Sequence, residues 1–218
     1  KNYKETIMNI LSWVRKNEVI LLVAIAVLAL CARLYRVTNP LLDWHAFRQA
    51  DTASVTREYL KNGIDPLRPT YLDISSLPSG TDNPMGYRMV EFPIIAIFTA
   101  ALLTAVPQLP LEQTSRVGSI LFSVLGLVAL YGLVRSISGR RVAMATAVAY
   151  AFLPYSIFYG RVVLPEPILL GCLLSSLYAY QRWLHLGKLR WYVIAFLLLS
   201  VSFLLKPYTI FFAPIFIA

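Results

Sequence analysis

The chain has 218 residues, with 20 Lys and Arg against 11 Asp and Glu, and 58% of its residues are hydrophobic. An ordinary soluble domain has about 45–50% apolar residues, and only 14% of this chain is charged. The composition excludes a typical water-soluble domain and predicts an all-α, polytopic membrane bundle. The basic residues separate hydrophobic segments instead of forming one solvent-facing patch, which argues against a nucleic-acid partner.

Long apolar segments predict five membrane-spanning helices. A helix needs about 20 apolar residues to cross the bilayer core. The first segment ends near Arg33 and further apolar segments follow, so it is a retained span and not a signal peptide. A sixth apolar stretch begins at Tyr208. The five predicted spans cover residues 18–36, 117–135, 142–159, 167–184 and 190–205.

Basic residues between these spans indicate which loops face the cytoplasm, because short cytoplasmic loops of membrane proteins are rich in Lys and Arg. All basic clusters lie on one side only if the apolar stretch 92–106 does not cross the membrane. We therefore predict a juxtamembrane or re-entrant helix in that stretch. The clusters are Lys1, Lys4, Arg15 and Lys16; Arg135, Arg140 and Arg141; and Arg182, Lys188 and Arg190.

This topology leaves one long external segment, residues 37–115, within a single transmembrane domain that covers residues 1–218. Asp43 can cap a helix through WHAFRQADTASVTREYLKNG, and Gly63 can end it. We predict that this helix lies on the membrane surface, with Arg57, Glu58 and Lys61 toward water. Its opposite, membrane-facing side carries Phe47, Ala50, Ser54 and Val55.

Ionisable residues at the outer membrane boundary are candidates for the functional site, because burial of a charge there is costly without a purpose. Asp51 has the chemistry of a general base. It also lies one helical turn after Arg48, with which it could form a simple surface ion pair. The boundary residues are Asp51, Glu91, Arg161, Glu166 and Lys206.

Three of these residues also have a purely structural interpretation. Glu166 lies between two prolines at a predicted helix start, where an acid suits the helix dipole. Arg161 could bind lipid phosphates or a substrate phosphate, and Lys206 is either an interfacial anchor or a point charge for an anionic head group. The sequence has no His/Cys metal cluster and no Walker, GxSxG or GxGxxG motif.

Five segments, spread in order over nearly the whole chain, are DWHAFRQADTASVTREY, EFPIIAIF, SRVGSILFSVLGLVALYGLVRSISGRR, AYAFLPYSIFYGRVVLPEPILL and LLSVSFLLKPY. Together they resemble the N-terminal part of a type C glycosyltransferase of family 39. This group includes protein O-mannosyltransferases and the bacterial aminoarabinose transferase acting on lipid A. The resemblance implies a transferase that takes a sugar from a polyprenyl-phosphate carrier on the non-cytoplasmic side of the membrane.

The resemblance also implies roles for individual residues. Asp51 matches the acid of the first external loop that serves as catalytic base, although Thr52 follows it where better-known members have a second acid. Glu166 resembles the acid of the second external loop and is the other catalytic candidate. Arg161 and Lys206 match phosphate-holding residues by position, and the full set of candidate substrate-binding residues is His45, Arg48, Glu91, Arg161 and Lys206.

We therefore expect an inverting membrane glycosyltransferase of the bacterial cytoplasmic membrane, with its active site facing the exterior. The expected partners are a polyprenyl-phosphate sugar donor, membrane lipids and an acceptor glycan, lipid or protein. The sequence requires no cofactor, and a divalent metal between Asp51 and Glu166 is an alternative that their spacing does not support.

Two other functions stay open at this point. One is a transporter or flippase of lipid-linked sugars, which would use the same cations without a base. The other is a non-catalytic membrane subunit that keeps the fold. Members of the resembling family continue through further spans, so we expect this chain to be the N-terminal part of such a module, incomplete at its C-terminus.

Overall fold

The computed structural model of the chain describes residues 17–76 and 79–216, and its regular structure there is helical. One isolated β-bridge joins Thr70 and Tyr87. The prediction of an all-α fold is confirmed. The predicted basic cluster at Lys1, Lys4, Arg15 and Lys16 lies outside the described residues.

Eight α-helices and one 3₁₀ helix form the described part of the chain. The α-helices are α1 (Glu18–Leu34), α2 (Ala46–Asn62), α3 (Ile94–Ala105), α4 (Leu111–Ser138), α5 (Arg140–Phe152), α6 (Pro154–Tyr159), α7 (Glu166–Leu186) and α8 (Leu189–Leu205). The 3₁₀ helix covers Pro207–Phe216, where the sequence predicted a sixth apolar stretch.

Among these helices, α4 is the one long and apolar enough to cross a membrane, with 28 residues and a mean hydropathy of 2.3 over an 18-residue stretch. At about 1.5 Å per residue it extends about 42 Å, more than the ~30 Å hydrocarbon core. The helices α3 and α8 and the 3₁₀ helix are apolar but shorter. The predicted spans 18–36, 167–184 and 190–205 correspond to α1, α7 and α8, and α4 extends the predicted span 117–135 at both ends.

The predicted span 142–159 is wrong as a single helix. The chain leaves the helical conformation at Leu153, whose backbone is extended (φ −59°, ψ 127°) between α5 and α6. Pro154 follows, and the ring of a proline disfavours the helical conformation for the residue before it. One dipeptide therefore divides the predicted span into two helices.

The helix α4 is the centre of the bundle, because α1, α3, α5 and α7 all pack on it, and α8 packs on α7. The backbones of α4 and α7 approach closely. A Cβ atom on Gly171 would lie 2.4 Å from the carbonyl oxygen of Phe122, and one on Gly126 would lie 3.2 Å from the Cα of Gly171. Small residues permit this kind of helix contact in membrane proteins.

The external segment contributes α2 and α3, which pack together through Val55, Tyr59, Ala96 and Ala100. The predicted membrane-facing side of α2 is therefore divided, since Val55 is buried inside the protein while Phe47 is 71% exposed. The helix α3 has 12 residues and a length of about 18 Å, shorter than the bilayer core. Its place at the membrane surface stays a prediction.

The start of α2 differs from the prediction. The N-cap is His45, which has a left-handed backbone (φ 62°, ψ 30°), and Gly63 follows the helix as predicted. The prediction of Asp43 as the N-cap is wrong. Its carboxylate instead accepts a hydrogen bond from Gln49 Nε2 at 2.6 Å and faces two arginines from other parts of the chain.

Candidate functional site

A cavity of about 750 Å³, called the Glu166 cavity below, opens between the start of α2, the middle of α4, the α5–α6 break and the start of α7. Its wall combines charged, aromatic and aliphatic side chains. The aliphatic residues include Leu153, Leu164, Leu169 and Leu170. The polar and aromatic residues include His45, Arg48, Ser123, Tyr150, Tyr155, Ser156, Tyr159, Glu166, Lys206 and Tyr208.

Glu166 and Lys206 form the charged pair of this cavity. Lys206 Nζ lies 3.8 Å from Glu166 Oε1, so the two charges attract each other without a close hydrogen bond. Glu166 Oε2 is buried and has no hydrogen-bond partner among the described residues. The carboxylate therefore has one oxygen near a cation and one buried oxygen without such a partner, while the side chain as a whole is 42% exposed at the cavity.

Arg48 contributes the second cation of the cavity. Its Nη2 donates to both carboxylate oxygens of Glu91 at 3.1 Å, and the side chain of Glu91 is only 9% exposed. The predicted surface pair between Arg48 and Asp51 does not form, because Glu91 from the segment before α3 takes the guanidinium. Glu91 thus holds Arg48 at the cavity wall and does not line the cavity itself.

Asp51 lies outside the lining of the cavity. Its Oδ2 is 3.4 Å from Arg88 Nη2, and its side chain is 15% exposed. Burial raises the pKa of Asp51, while the charges of Arg88 and Arg48 act in the opposite direction. Asp51 and Glu166 do not line the same cavity, which separates the two catalytic candidates.

Arg161 is also outside the lining, and it belongs to a buried network that sequence reasoning missed. Its Nη2 lies 3.7 Å from Asp43 Oδ2, and Arg116 Nη2 lies 3.6 Å from the same oxygen. Arg161 also donates to the carbonyl of Tyr35, and Arg116 donates to the carbonyl of Val37 at 3.0 Å. Both arginines therefore hold the chain that follows α1 against the body of the protein.

Gln49 extends this network to the cavity. It is fully buried, donates from Nε2 to Asp43, and accepts a hydrogen bond at Oε1 from the backbone N–H of Val163 at 3.1 Å. Gln49 lies in the first turn of α2, next to Arg48. The first turn of α2 is thus tied to the segment before α7, which brings His45 and Arg48 to the cavity wall.

His45 and two tyrosines form the aromatic part of the wall. His45 Nε2 lies 3.1 Å from the hydroxyl of Tyr159, and the rings of Tyr155 and Tyr159 have centroids 4.3 Å apart. Both tyrosines belong to α6, which the Leu153 break separates from α5. Amphipathic rings of this kind suit a boundary between lipid and water.

Arg33 lies beneath the cavity and is fully buried. Its Nε donates to Ser123 Oγ at 2.9 Å, and its Nη2 donates to Ser156 Oγ at 2.9 Å and to the carbonyl of Tyr150 at 3.1 Å. These three acceptors all line the cavity. A Cβ atom on Gly160 would lie 2.5 Å from Arg33 Nε, so this guanidinium requires glycine there. The signal for this buried cation in the sequence was the position of Arg33 at the end of an apolar run.

No described part of the chain brings three His, Cys, Asp or Glu side chains close enough together to hold a metal ion. A metal between Asp51 and Glu166 would also need both carboxylates at one cavity, and of the two only Glu166 lines the Glu166 cavity. The geometry therefore gives no support to the metal-dependent alternative.

Residues 91–218 match the protein family described as dolichyl-phosphate-mannose-protein mannosyltransferase. The match covers more than half of the chain, including Glu91, Glu166 and Lys206. Together with the helical bundle, it defines the class of protein as a membrane glycosyltransferase. The chain belongs to the dolichyl-phosphate-mannose-protein mannosyltransferase family.

This membership confirms the resemblance expected from the sequence. A comparison with curated proteins finds no match. The HAFRQADTA segment, which contains His45, Arg48 and Asp51, precedes the matched residues. Roles for these three side chains therefore rest on the geometry of this chain.

Proposed function

We propose that the protein transfers a sugar from a polyprenyl-phosphate-linked donor to an acceptor on the non-cytoplasmic side of the membrane, with inversion at the anomeric carbon. The observation that carries the proposal is the Glu166 cavity, whose wall presents Arg48, Lys206 and the carboxylate of Glu166 beside aliphatic and tyrosine side chains. Cations, a carboxylate and an apolar surface are the three features that a lipid-phosphate sugar and its acceptor require.

The donor would lie with its phosphate near Arg48 and Lys206. Both side chains line the cavity, and both carry donors that suit phosphate oxygens. The isoprenoid chain would contact the leucines of the wall, including Leu153 and Leu170, both of which are exposed at the protein surface. The sugar would then lie between this phosphate and the tyrosines of α6.

Glu166 is the better placed of the two candidate bases. In the proposed step, an acceptor hydroxyl oxygen forms the bond to the anomeric carbon while the bond from that carbon to the phosphate oxygen breaks. The polyprenyl phosphate leaves with the electron pair, near Lys206, and the acceptor proton passes to the carboxylate of Glu166. Asp51 can perform this role only if it reaches the cavity from its present place beside Arg88.

The arrangement of basic residues supports an external active site. Arg135 and Arg182 lie at the ends of α4 and α7 that are remote from Glu166, and clusters of this kind mark the cytoplasmic side. With these ends in the cytoplasm, the Glu166 cavity would face the exterior. A bacterial cytoplasmic membrane and a polyprenyl carrier agree with this orientation.

The test is transfer from a polyprenyl-phosphate sugar by purified full chain, with donor binding measured separately. We expect Glu166→Gln to lower transfer by about 10²–10⁴-fold, the usual contribution of a general base, while donor binding persists. Asp51→Asn is compared in the same assay. The matched control is Glu112→Gln, since Glu112 makes a partly exposed ion pair with Arg57 outside the cavity.

The outcomes separate the candidate functions. Loss of transfer in Glu166→Gln alone supports Glu166 as the base, and loss in Asp51→Asn alone transfers the role to Asp51. Donor binding without transfer in the unmodified protein would favour a carrier of lipid-linked sugars. Absence of donor binding would contradict the proposal as a whole.

A further inference from the structure

A second cavity, of about 760 Å³, lies at the other end of the bundle. It opens between α1 and α7, which both pack on α4 without an extensive contact with each other. Its wall includes Glu18 of α1, Arg135 of α4, and Arg182 and His185 of α7. None of the residues that line this cavity lines the candidate active site.

The wall of the second cavity carries more positive than negative charge. Glu18 is buried and neutralises part of it, because Arg135 Nε lies 2.6 Å and Arg140 Nη2 2.5 Å from its carboxylate oxygens. Tyr131 also donates a hydrogen bond to Glu18. Three guanidinium groups thus face one carboxylate among the lining residues that the structure describes, which leaves an excess of two positive charges.

Glu18 pairs with Arg135 and Arg140 and does not neutralise the charge of Arg182. Within residues 17–76 and 79–216, no carboxylate forms an ion pair with Arg182, and its buried Nε has no hydrogen-bond partner. The guanidinium is instead held over the ring of Trp191, 5.4 Å from the centroid. A planar cation fixed in this way is prepared to bind an anion that arrives from the cavity.

An apolar surface continues from the charged part of the cavity. Val19 is 72% exposed and Val128 is also exposed, although both line the cavity beside Leu22. These side chains belong to α1 and α4, helices that the apolar composition assigns to the membrane. Charged groups at the end of a bundle, above an apolar strip, are typical of a site for a lipid headgroup with its acyl chains.

We propose that the second cavity binds the phosphate group of an anionic phospholipid from the leaflet on the Arg135 and Arg182 side. The phosphate would lie against Arg182 and Arg135, and the acyl chains would follow Val19 and Val128. The proposal is independent of the sugar transfer proposed above, because it uses neither the Glu166 cavity nor any of its residues.

The experiment measures retention of phosphatidylglycerol by the purified full chain in phosphatidylcholine nanodiscs, by native mass spectrometry. We expect wild-type protein to retain phosphatidylglycerol and Arg182→Gln to bind it about tenfold to a hundredfold more weakly, the range for loss of a charge-assisted contact. The matched control is Arg141→Gln, which removes the same charge from an exposed position that does not line the cavity.

A second variant has an expected effect of opposite sign. Glu18→Gln removes the carboxylate of the wall, so we expect tighter retention of phosphatidylglycerol, a result that a merely destabilised protein would not give. Thermal unfolding of each variant in phosphatidylcholine alone reports its folding.

Equal retention by wild type, Arg182→Gln and Arg141→Gln would overturn the proposal. Binding of inorganic phosphate that competes fully with phosphatidylglycerol would assign the site to a free phosphate and overturn the lipid.

Discussion

Lys206 Nζ lies 3.8 Å from Glu166 Oε1 in the Glu166 cavity, although 40 positions separate the two residues in the sequence. Glu166 begins α7, and Lys206 is the residue directly after α8. The packing of α8 on α7 therefore brings a cation to the acid that the start of α7 presents. This pair places opposite charges at the site that the proposed function assigns to a lipid phosphate and an acceptor hydroxyl.

Replacement of Lys206 tests the phosphate contact directly. We expect Lys206→Ala to weaken donor binding by roughly ten- to a hundredfold, because a charge-assisted contact contributes about 1.5–3 kcal/mol. Folding should be retained, since the side chain is partly exposed and its ion pair is long. Isothermal titration with a polyprenyl phosphate measures the change, and Lys61→Ala, an exposed lysine of α2, is the control. Equal affinity in wild type and Lys206→Ala would reduce Lys206 to an interfacial anchor.

Asp51 should make stability depend on pH with a definite sign. Burial raises its pKa in the folded protein, so its protonated form is favoured by folding. Its contribution is present below the pKa of the unfolded chain and is lost as pH rises through the raised folded pKa. We expect Asp51→Asn, which imitates the protonated acid, to gain stability over wild type at neutral pH and to lose that advantage in acid.

The contrast for this prediction is Asp73, whose pKa is lowered by hydrogen bonds from Ser75. Its contribution is present above the unfolded pKa and is lost as pH falls through the folded pKa. Asp73→Asn should therefore show the opposite trend in thermal unfolding. A stability difference between wild type and Asp51→Asn that is constant across pH would contradict the assignment of burial as the dominant cause.

Asp43 should contribute more to the stability of the folded protein than a helix N-cap does. Asparagine caps a helix about as well as aspartate, so a capping role predicts no effect of Asp43→Asn. The structure instead predicts a loss of about 1–3 kcal/mol in the free energy of unfolding, because two buried arginines lose their shared carboxylate. Denaturant unfolding of Asp43→Asn beside Asp82→Asn, a change at an exposed position, distinguishes these roles.

The contact between α4 and α7 should tolerate no side chain at Gly171. A Cβ atom there would meet the carbonyl oxygen of Phe122, a backbone atom that cannot move without shifting α4. We expect Gly171→Ala to cost about 1–3 kcal/mol, the range for overpacking. Gly118→Ala is the milder comparison, since its Cβ would meet the ring of Phe98, which can rotate away. Equal thermal stability of the two variants would show that the helices separate easily.

The proposed orientation has its own test with single cysteines in a background free of Cys31 and Cys172. We expect cysteines at Ser138 and Lys188 to be shielded from an impermeant thiol reagent in intact cells, and one at Ser79 to react, because the basic clusters mark the cytoplasmic side. Labelling at Ser138 would place the end of α4 outside and return the stretch 92–106 to the membrane spans.

Helix positions in this protein could be predicted because they follow from local composition. Apolar runs located α1, α4, α7 and α8, and Gly63 marked the end of α2. The partners of the charged residues could not be predicted in this way. Spacing along one helix suggested that Asp51 pairs with Arg48, whereas the folded chain gives Arg48 to Glu91 and Asp51 to Arg88. Such choices depend on the packing of remote segments.

The buried arginines show a second limit. A charge at the end of an apolar run normally indicates the membrane boundary, and Arg33 fits that description in the sequence. In the folded chain its donors are occupied by backbone carbonyls and by Ser123 and Ser156. Only the three-dimensional arrangement of α1, α4 and the α5–α6 break provides these acceptors.

The backbone contact at Gly126 and Gly171 also determines how a long lipid could enter. Two helices that touch without an intervening layer of side chains move as one unit, because sliding would bring backbone atoms into collision. In the proposed function, an isoprenoid tail would therefore enter sideways, without passing between these two helices. Tyr155 and Tyr208 border the cavity and are 72% and 52% exposed. Lateral exchange with the bilayer through these two tyrosines would need no separation of the central helices.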